Sequence, residues 1–436
     1  MNISVIGTGY VGLVTGSCLA KIGHNVICID NDNNKVELLI RGEIPIFEPG
    51  LRELITNVKA DGRISFTTSI KEAVDKSEVI FICVGTPTTL EGEADLSAVE
   101  EVSREIAKYL TEFRLIIEKS TVPVQTGEKI RRTIKLNNPN AVFEVASNPE
   151  FLREGSAIDD FLHPDRIVIG SDTKKARDII AKIFEKIDAP KIFTSIKSAE
   201  IIKHASNSFL AMKISYINAL SFICERTGAD INEVARGMGL DHRIGMEFLR
   251  AGIGFGGSCF PKDIEAFIKI AEKLGYNFQL LKDVKKINIE IKEYFIKIVE
   301  DLLWNIKGKR IGVLGLSFKP NTDDMREAPS IYIINKLKEK GASIVAYDPV
   351  AIKNAEKFLK DIAFVDSPYT AARNADALII LTEWEEFKKM NLDMIKKQLK
   401  TPIIIDGRNI FDPKNMKEKG FIYRCIGRTL PSSSFK

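Results

Sequence analysis

The sequence predicts an α/β protein made of two doubly wound parallel-sheet domains joined by a long helical middle. Three observations carry this. Short apolar, β-branched runs alternate with helix-spaced segments through the first 195 residues. A stretch from Ala199 to Arg226 contains neither Pro nor Gly. The strand pattern then restarts at Arg310.

The first 30 residues read strand, glycine turn, helix, strand: Asn2–Ile6, then Gly7 to Gly12, helical spacing over Val11–Ile22, and a second strand at Asn25–Asp30. Val79–Val84, Leu115–Glu118 and Phe143–Ala146 continue the strand series, separated by helix-like segments. After Ala199–Arg226, more helix is expected from Asp263 to about Asn305, interrupted around Gly275. Later strands are expected at Arg310–Gly315, Ser343–Tyr347, Ala377–Leu381 and Pro402–Ile405. The expected domains are 1–195, 196–300 and 301–436. The tail from Thr429, rich in Pro and Ser, is expected to be disordered.

A chain of 436 residues exceeds one ordinary core and implies two or three domains. Its 63 basic and 59 acidic side chains nearly cancel, which gives no reason to invoke nucleic acid or a membrane surface as partner. An anionic small molecule needs only a few local cations. Met1 leads almost directly into the strand-like run Ile3–Ile6, with no charged leader, no cleavage pattern and no apolar stretch of 18 residues, so a cytosolic protein is expected. Cys18, Cys28, Cys83, Cys224, Cys259 and Cys425 are scattered with no Cys-x-x-Cys pair, which argues against a disulfide framework or a zinc site. None of the four histidines lies near Cys259 in sequence, and no metal is expected.

Gly7-Thr8-Gly9-Tyr10-Val11-Gly12 is a G-x-G-x-x-G set between a strand and a helix, and Asp30 ends the next strand 18 residues after Gly12. In that context the glycines allow a tight turn and close backbone approach, the helix N-terminus meets a pyrophosphate, and the carboxylate accepts from ribose hydroxyls: a Rossmann-like dinucleotide site. The rival reading is a tight turn in an ordinary α/β core. Asp30 and Asp32 repel a 2′-phosphate, so NAD is expected over NADP. Gly312-Val313-Leu314-Gly315 lacks the full spacing and reads as a strand-to-helix turn, with no second NAD.

Cys28, Cys83 and Cys224 lie in apolar runs and read as small buried hydrophobes. Cys259 differs, sitting in Gly254-Phe255-Gly256-Gly257-Ser258-Cys259-Phe260-Pro261-Lys262-Asp263. Pro261 suits the first helical position, placing the thiol at a helix N-terminus where the dipole and Lys262 favour thiolate. Cys259 is either a nucleophile or a buried turn cysteine, since glycine turns before helices are common. Lys203 and Asn207, four apart on one helix face, are either donors to an oxyanion or part of a solvated polar face. Asn148-Pro149-Glu150-Phe151-Leu152-Arg153-Glu154 follows a strand end; its carboxylates either act in catalysis or cap a helix. Thr121, in Ser120-Thr121-Val122-Pro123, either faces the cofactor or caps.

Together these segments resemble the UDP-glucose 6-dehydrogenase family. The matching stretches also include Val84-Gly85-Thr86-Pro87-Thr88, Ser317-Phe318-Lys319-Pro320 with Asp323-Asp324-Met325-Arg326, and Asp406-Gly407-Arg408, in order over residues 1 to about 428. The resemblance implies an NAD-dependent four-electron oxidation of a nucleotide-sugar C6 alcohol to a carboxylate. In it Cys259 holds the aldehyde as a thiohemiacetal, which becomes a thioester and is hydrolysed. It implies that Lys203 and Asn207 stabilise oxyanions, that Asp263 and Thr121 position water, and that Glu150 assists hydrolysis.

By the same resemblance, Gly7, Gly9, Tyr10, Val11, Gly12, Asp30, Lys35, Thr86, Thr121, Glu154, Lys262 and Arg326 line NAD. Glu150, Phe151, Leu152, Arg153, Lys203, Asn207, Phe248, Leu249, Arg250, Ala251, Gly252, Gly256 and Lys319 hold the nucleotide sugar, with Arg408 near it. Arg243 reaches a neighbouring subunit's sugar, so a homo-oligomer of at least two chains is implied, built on the long central helix. Arg250 departs from the lysine found in some members, a fork replacing a point charge on the phosphates. GDP-mannose and UDP-N-acetylmannosamine dehydrogenases share much of this pattern; Phe260 after the cysteine and Asp406-Gly407-Arg408 favour UDP-glucose. A non-catalytic NAD-binding regulator is the rival from another class, and the intact Lys203, Asn207, Cys259 and Asp263 set argues against it.

Overall fold

The structure is a computed structural model that describes residues 1–89 and 91–428. The expectation of a disordered tail from Thr429 falls outside the described residues. The chain forms two compact units. One is Met1–Ser206 with Glu265–Tyr276; the other, among the described residues, is Asn207–Ile264 with 277–428. The helices Ile196–Thr227 and Phe260–Lys273 each contribute residues to both.

The first unit holds an eight-stranded sheet: β1 (Asn2–Ile6), β2 (Asn25–Ile29), β3 (Ile64–Thr67), β4 (Val79–Ile82), β5 (Arg114–Glu118), β6 (Phe143–Ser147), β7 (Ile167–Ser171) and β8 (Lys191–Thr194), in the order β3-β2-β1-β4-β5-β6-β7-β8. Val79-Ile80-Phe81-Ile82 is apolar at every position because helices cover both faces of the sheet, leaving no solvent side. Val5 in β1 pairs with Cys28 on one side and Phe81 on the other. The helix Tyr10–Lys21 is buried continuously from Gly12 to Ala20, and Gly16 lets it approach the Cys28 sulfur of β2. The expectation of a parallel sheet fails at one place: β6 and β7 run antiparallel. An antiparallel neighbour needs no crossover to the far end of the sheet. The segment 148–166 therefore stays at the carboxyl edge of β6, where α/β sites form. β3, β7 and β8 were not singled out from sequence; each is only four or five residues long.

The second unit holds an all-parallel six-stranded sheet: β9 (Arg310–Leu314), β10 (Ser343–Tyr347), β11 (Ala363–Phe364), β12 (Ala377–Ile380), β13 (Ile403–Asp406) and β14 (Ile422–Cys425), in the order β11-β10-β9-β12-β13-β14. The helix Gln279–Leu303 lays Ile291, Phe295 and Val299, four residues apart, into a core with Ile311, Val313 and Ile405. Each such fully buried side chain stabilises the fold by about 1.5–3 kcal/mol. The break expected around Gly275 is real: one helix ends at Lys273 and the next starts at Gln279. The long helix extends beyond the expected Ala199–Arg226 at both ends, to Ile196–Thr227, and stops at Gly228, whose φ of 80° no L side chain favours. Among the described residues no helix is long and apolar enough to cross a membrane.

Candidate active site

The glycine turn of the first unit uses its three glycines differently. Gly7 has φ 102°, and a Cβ there would stand 2.6 Å from the Cys83 carbonyl oxygen. A Cβ on Gly12 would collide with the Gly7 carbonyl. Both are thus required by the chain itself. Gly9, which caps the helix Tyr10–Lys21, has nothing within 4 Å of a Cβ position, so its missing side chain leaves room for a ligand. Asp30 lies just beyond β2, 8% exposed. Its Oδ2 accepts from the Thr8 amide at 2.8 Å and hydroxyl at 2.7 Å, its Oδ1 from the Asp32 amide at 3.1 Å, and Lys35 Nζ stands 3.9 Å away. Burial alone would raise its carboxyl; the bonds from Thr8 and Asp32 and the Lys35 charge outweigh it and hold the group below the usual range. Asp32 is engaged as the N-cap of Asn33–Arg41. An open helix N-terminus beside a buried, ionised carboxylate fits the diphosphate and ribose of NAD. Thr86 donates to the Thr121 carbonyl at 2.8 Å, which joins these two expected cofactor residues. Val11 is half-buried in the first turn of the same helix.

At the carboxyl edge of β6, the Lys203 ammonium lies 3.0 Å from Glu150 Oε1, and both are about 95% buried, at 4% and 5% exposure. Lys203 is thus a buried ion-pair partner rather than part of a solvated face. Glu150 Oε2 accepts from the Leu152 amide at 2.5 Å. The Phe151 ring has the Arg166 guanidinium 3.7 Å from its centroid and Lys203 at 5.3 Å. Arg153 points instead to Asp160, 2.6 Å away, and is largely exposed. Lys119 donates to Asn148 through both the backbone oxygen and Oδ1. Burial lowers the Lys119 ammonium and, together with Glu200, pushes the Glu118 carboxyl well up. One turn before Lys203, Glu200 accepts from the Gln125 and Gly127 amides, and directly after it His204 Nε2 meets the Val122 carbonyl at 2.9 Å. These contacts tie the helix to the loop carrying Thr121. Spacings of three and one from Lys203 were available signals for both residues, but isolated polar side chains on a helix read first as solvent-facing.

In the second unit, Cys259 alone among the six cysteines is not buried. Its carbonyl accepts from the Asp263 amide at 2.8 Å, so it caps the helix that begins at Phe260; Pro261 is the second helical residue, not the first. Asp263, 1% exposed, holds Lys262 at 2.9 Å through Oδ1 and accepts from Asn207 Nδ2 at 2.6 Å through Oδ2. Asn207 therefore faces a buried carboxylate. The glycines before the cysteine approach their own chain: a Cβ on Gly256 would strike the Glu327 carbonyl, and Gly257 has φ 85° beneath the Phe318 ring.

Phe248 (φ 66°) packs near the Phe260 ring, Leu249 and Ala251 are buried, and Arg250 is exposed. Gly252 donates its amide to Asn218 Oδ1. Arg408 donates to the carbonyls of Leu381, Gly254 and Phe318, which makes it the brace of this region, with Lys319 beside the Phe318 ring. Arg243 and Arg326 are exposed and fork onto Asp241 and Asp324 respectively. Arg243 does not join the Gly252–Arg408 cluster. Glu154 sits in the turn before Gly155, in the first unit.

Three family models match the chain in succession. The NAD binding domain of the UDP-glucose/GDP-mannose dehydrogenase family matches residues 1–188, its central domain 197–290 and its UDP binding domain 312–413. The chain is similar to a UDP-glucose 6-dehydrogenase of Rhizobium meliloti, 46% identical over 98% of this chain and all of the relative. It is also similar to the structure of a UDP-glucose dehydrogenase from Pyrobaculum islandicum, with TM-score 0.92 and 38% identity over 98% of both chains. A UDP-D-ManNAc dehydrogenase from Pyrococcus horikoshii aligns with TM-score 0.87 at 28% identity, over 98% of this chain and 99% of the other. A dinucleotide turn, an N-capping cysteine and a second sheet, each on its own matching domain, make this chain a member of the UDP-glucose/GDP-mannose dehydrogenase family, with NAD as its cofactor.

Proposed function

We propose that the protein is an NAD-dependent UDP-glucose 6-dehydrogenase, oxidising the C6 alcohol to the carboxylate of UDP-glucuronate. The observation that carries the mechanism is the partly buried Cys259 capping a helix whose first turn holds the Asn207–Asp263–Lys262 network. The substrate reading is supported by 46% identity to an end-to-end UDP-glucose relative against 28% to the UDP-D-ManNAc enzyme.

NAD supplies hydride acceptance, two equivalents per turnover. The chain's residues do the rest. Lys203 and Asn207 donate to the C6 oxygen as its proton leaves and the aldehyde forms. Cys259 Sγ then adds to the aldehyde carbon, making a C–S bond while the oxygen becomes a thiohemiacetal hydroxyl. Loss of the remaining C6 hydride and the hydroxyl proton leaves a thioester. A water held by Asp263 and Thr121, with Glu150 assisting, attacks the carbonyl; the C–S bond breaks, and the thiol and a carboxylate are released. One water is consumed and four electrons leave the substrate. Lys262 and Arg326 serve NAD, and Phe248–Gly252, Gly256 and Lys319 serve the nucleotide sugar. The three segments 1–195, 196–300 and 301–436 divide this labour into cofactor, dimer and nucleotide-sugar domains.

We read the protein as a homodimer, because Phe209, Tyr216 and Ile223 recur every seven residues along the long helix and are all more than half exposed. Arg243 then acts toward the partner's sugar, consistent with its exposure. Light scattering at micromolar concentration tests the dimer, and a monomeric mass overturns it.

The test of the reaction is NADH formation with UDP-glucose, GDP-mannose and UDP-N-acetylmannosamine, in wild type and Cys259→Ser. UDP-glucose should be used best, with two NADH per sugar. The serine variant should lose ~10⁴-fold or more in kcat while keeping its melting temperature. A folded Cys259→Ser protein with near-wild-type UDP-glucuronate output removes Cys259 from the mechanism.

A further inference from the structure

Glu48 lies in the loop between the helices Asn33–Arg41 and Leu51–Ala60, a position with no motif spacing to mark it. It is nevertheless 7% exposed, and its carboxylate is shared among three donors in the first unit. Oε1 accepts from the Ala157 amide at 2.7 Å. Oε2 accepts from the Gly155 amide at 2.6 Å and from the Tyr10 hydroxyl. The Gly155 amide also lies 3.1 Å from the Tyr10 oxygen, so the three groups form a closed triangle. Burial and Glu48 together raise the Tyr10 phenol far above its ordinary range, which keeps it a donor.

A buried carboxylate is tolerated only where donors replace its water, and bonds to a charged acceptor are stronger than neutral ones. The donors here come from two separate parts of the unit. Tyr10 is the first residue of the helix that follows the glycine turn. Gly155 directly follows Glu154, and Ala157 opens the next short helix. One side chain thus joins the diphosphate turn to the end of the Glu150–Glu154 run.

We propose that Glu48 is a positioning residue of the NAD cradle: it sets the spacing between the glycine turn and the Glu154 segment through Tyr10 and the Gly155 and Ala157 amides. This rests on the reading of Glu154 as an NAD residue. Glu48 does not contact the dinucleotide; it acts through the two segments that do. An amide at this position has one acceptor oxygen, and its NH2 would face an N–H donor, so Glu48→Gln breaks the junction with almost no change in volume. Tyr10→Phe removes only one of the three links.

The test is equilibrium NAD binding by calorimetry on the full-length protein, with UDP-glucose binding and melting temperature measured alongside. Glu48→Gln should weaken NAD binding about tenfold and leave UDP-glucose binding within about twofold. Tyr10→Phe should weaken NAD binding about threefold at near-wild-type melting temperature, which keeps the test open if Glu48→Gln folds poorly. The double variant should be no worse than Glu48→Gln alone, because both act through one junction. Three results overturn the proposal: unchanged NAD affinity in folded Glu48→Gln, equal losses for NAD and UDP-glucose, or additive effects of the two substitutions. Each of these leaves the dehydrogenase reading standing, whereas a wild-type protein that does not bind NAD overturns both.

Discussion

Asp30 and Asp348 occupy the same topological place in the two sheets, directly after the strand beside the first strand of each, β2 beside β1 and β10 beside β9. Their surroundings diverge. Asp30 has one bond on Oδ1 and two, from one residue, on Oδ2. Asp348 takes the Leu316 and Ser317 amides, the Ser317 hydroxyl and the Trp384 indole on Oδ2, and the Val350 and Ala351 amides on Oδ1. Its acceptor capacity is filled by its own unit. The turns differ in the same sense. Three residues, 7–9, separate β1 from its helix, whereas fourteen, 315–328, separate β9 from the helix Pro329–Glu339. The long turn also returns its helix to the strand end, but there the helix start is taken up by its own chain, Ser330 donating to the Leu316 carbonyl. A strand order shared over the first six strands of each sheet thus supports different binding, because the turn's own contacts and the occupancy of one carboxylate decide what a ligand meets.

The largest effect that could break this comparison is on stability. Asp348→Ala strands several buried donors and should cost about 3–5 kcal/mol in urea unfolding, with the NAD-to-NADP preference of the folded fraction unchanged. A shifted cofactor preference would mean that Asp348 is not confined to structure. Asp30→Ala should do the reverse, narrowing the kcat/KM ratio of NAD over NADP by about 2 kcal/mol, some thirtyfold. An unaltered ratio would remove Asp30 from cofactor choice.

Smaller effects sharpen the contrast between turns. Gly9→Ala should raise the KM for NAD about tenfold and change stability by less than about 1 kcal/mol, because its Cβ meets only open space. Gly315→Ala, at φ 89° and against Thr382, should lower the melting temperature and leave the KM for NAD alone. The reverse pattern would erase the distinction.

The smallest expected effect is on acid stability. The Asp30 carboxyl is held below its ordinary value in the folded chain, so its contribution is present above the unfolded value near ~3.9 and fades as pH falls through the folded one. Asp30→Asn should flatten that part of the urea-midpoint profile below about pH 4. Asp406, at the end of β13, is pushed upward by burial despite bonds from Tyr423 and three amides. Its linkage has the opposite sign: stability falls as pH rises above the ordinary aspartate value. Asp406→Asn should remove a decline on the high side, not the low side.

Much of this was readable in one dimension. Strands such as Val79–Ile82, the glycine turn with Asp30, the long breaker-free helix and the gap near Gly275 follow from periodicity and backbone preference, which act over a few residues. Cys259 at a helix start was legible for the same reason, through the glycines before it and Pro261 after it. The two-residue strand β11 and the reversed β7 were not, since pairing direction depends on where the chain returns, not on which residues form the strand. Whether Lys203 and Asn207 face water or buried carboxylates was undecided by a spacing of four residues; Glu150, 53 positions earlier, and Asp263, 56 positions later, settle it. The glycines at 256 and 257 signalled close approach, but only packing revealed that the approach is to Glu327 and Phe318. Glu48 left no mark in sequence at all, because a carboxylate in a loop is ordinary until folding removes its water and brings Tyr10, Gly155 and Ala157 to it. Local conformational preference is written residue by residue, whereas desolvation and hydrogen-bond partnership are properties of distant segments meeting.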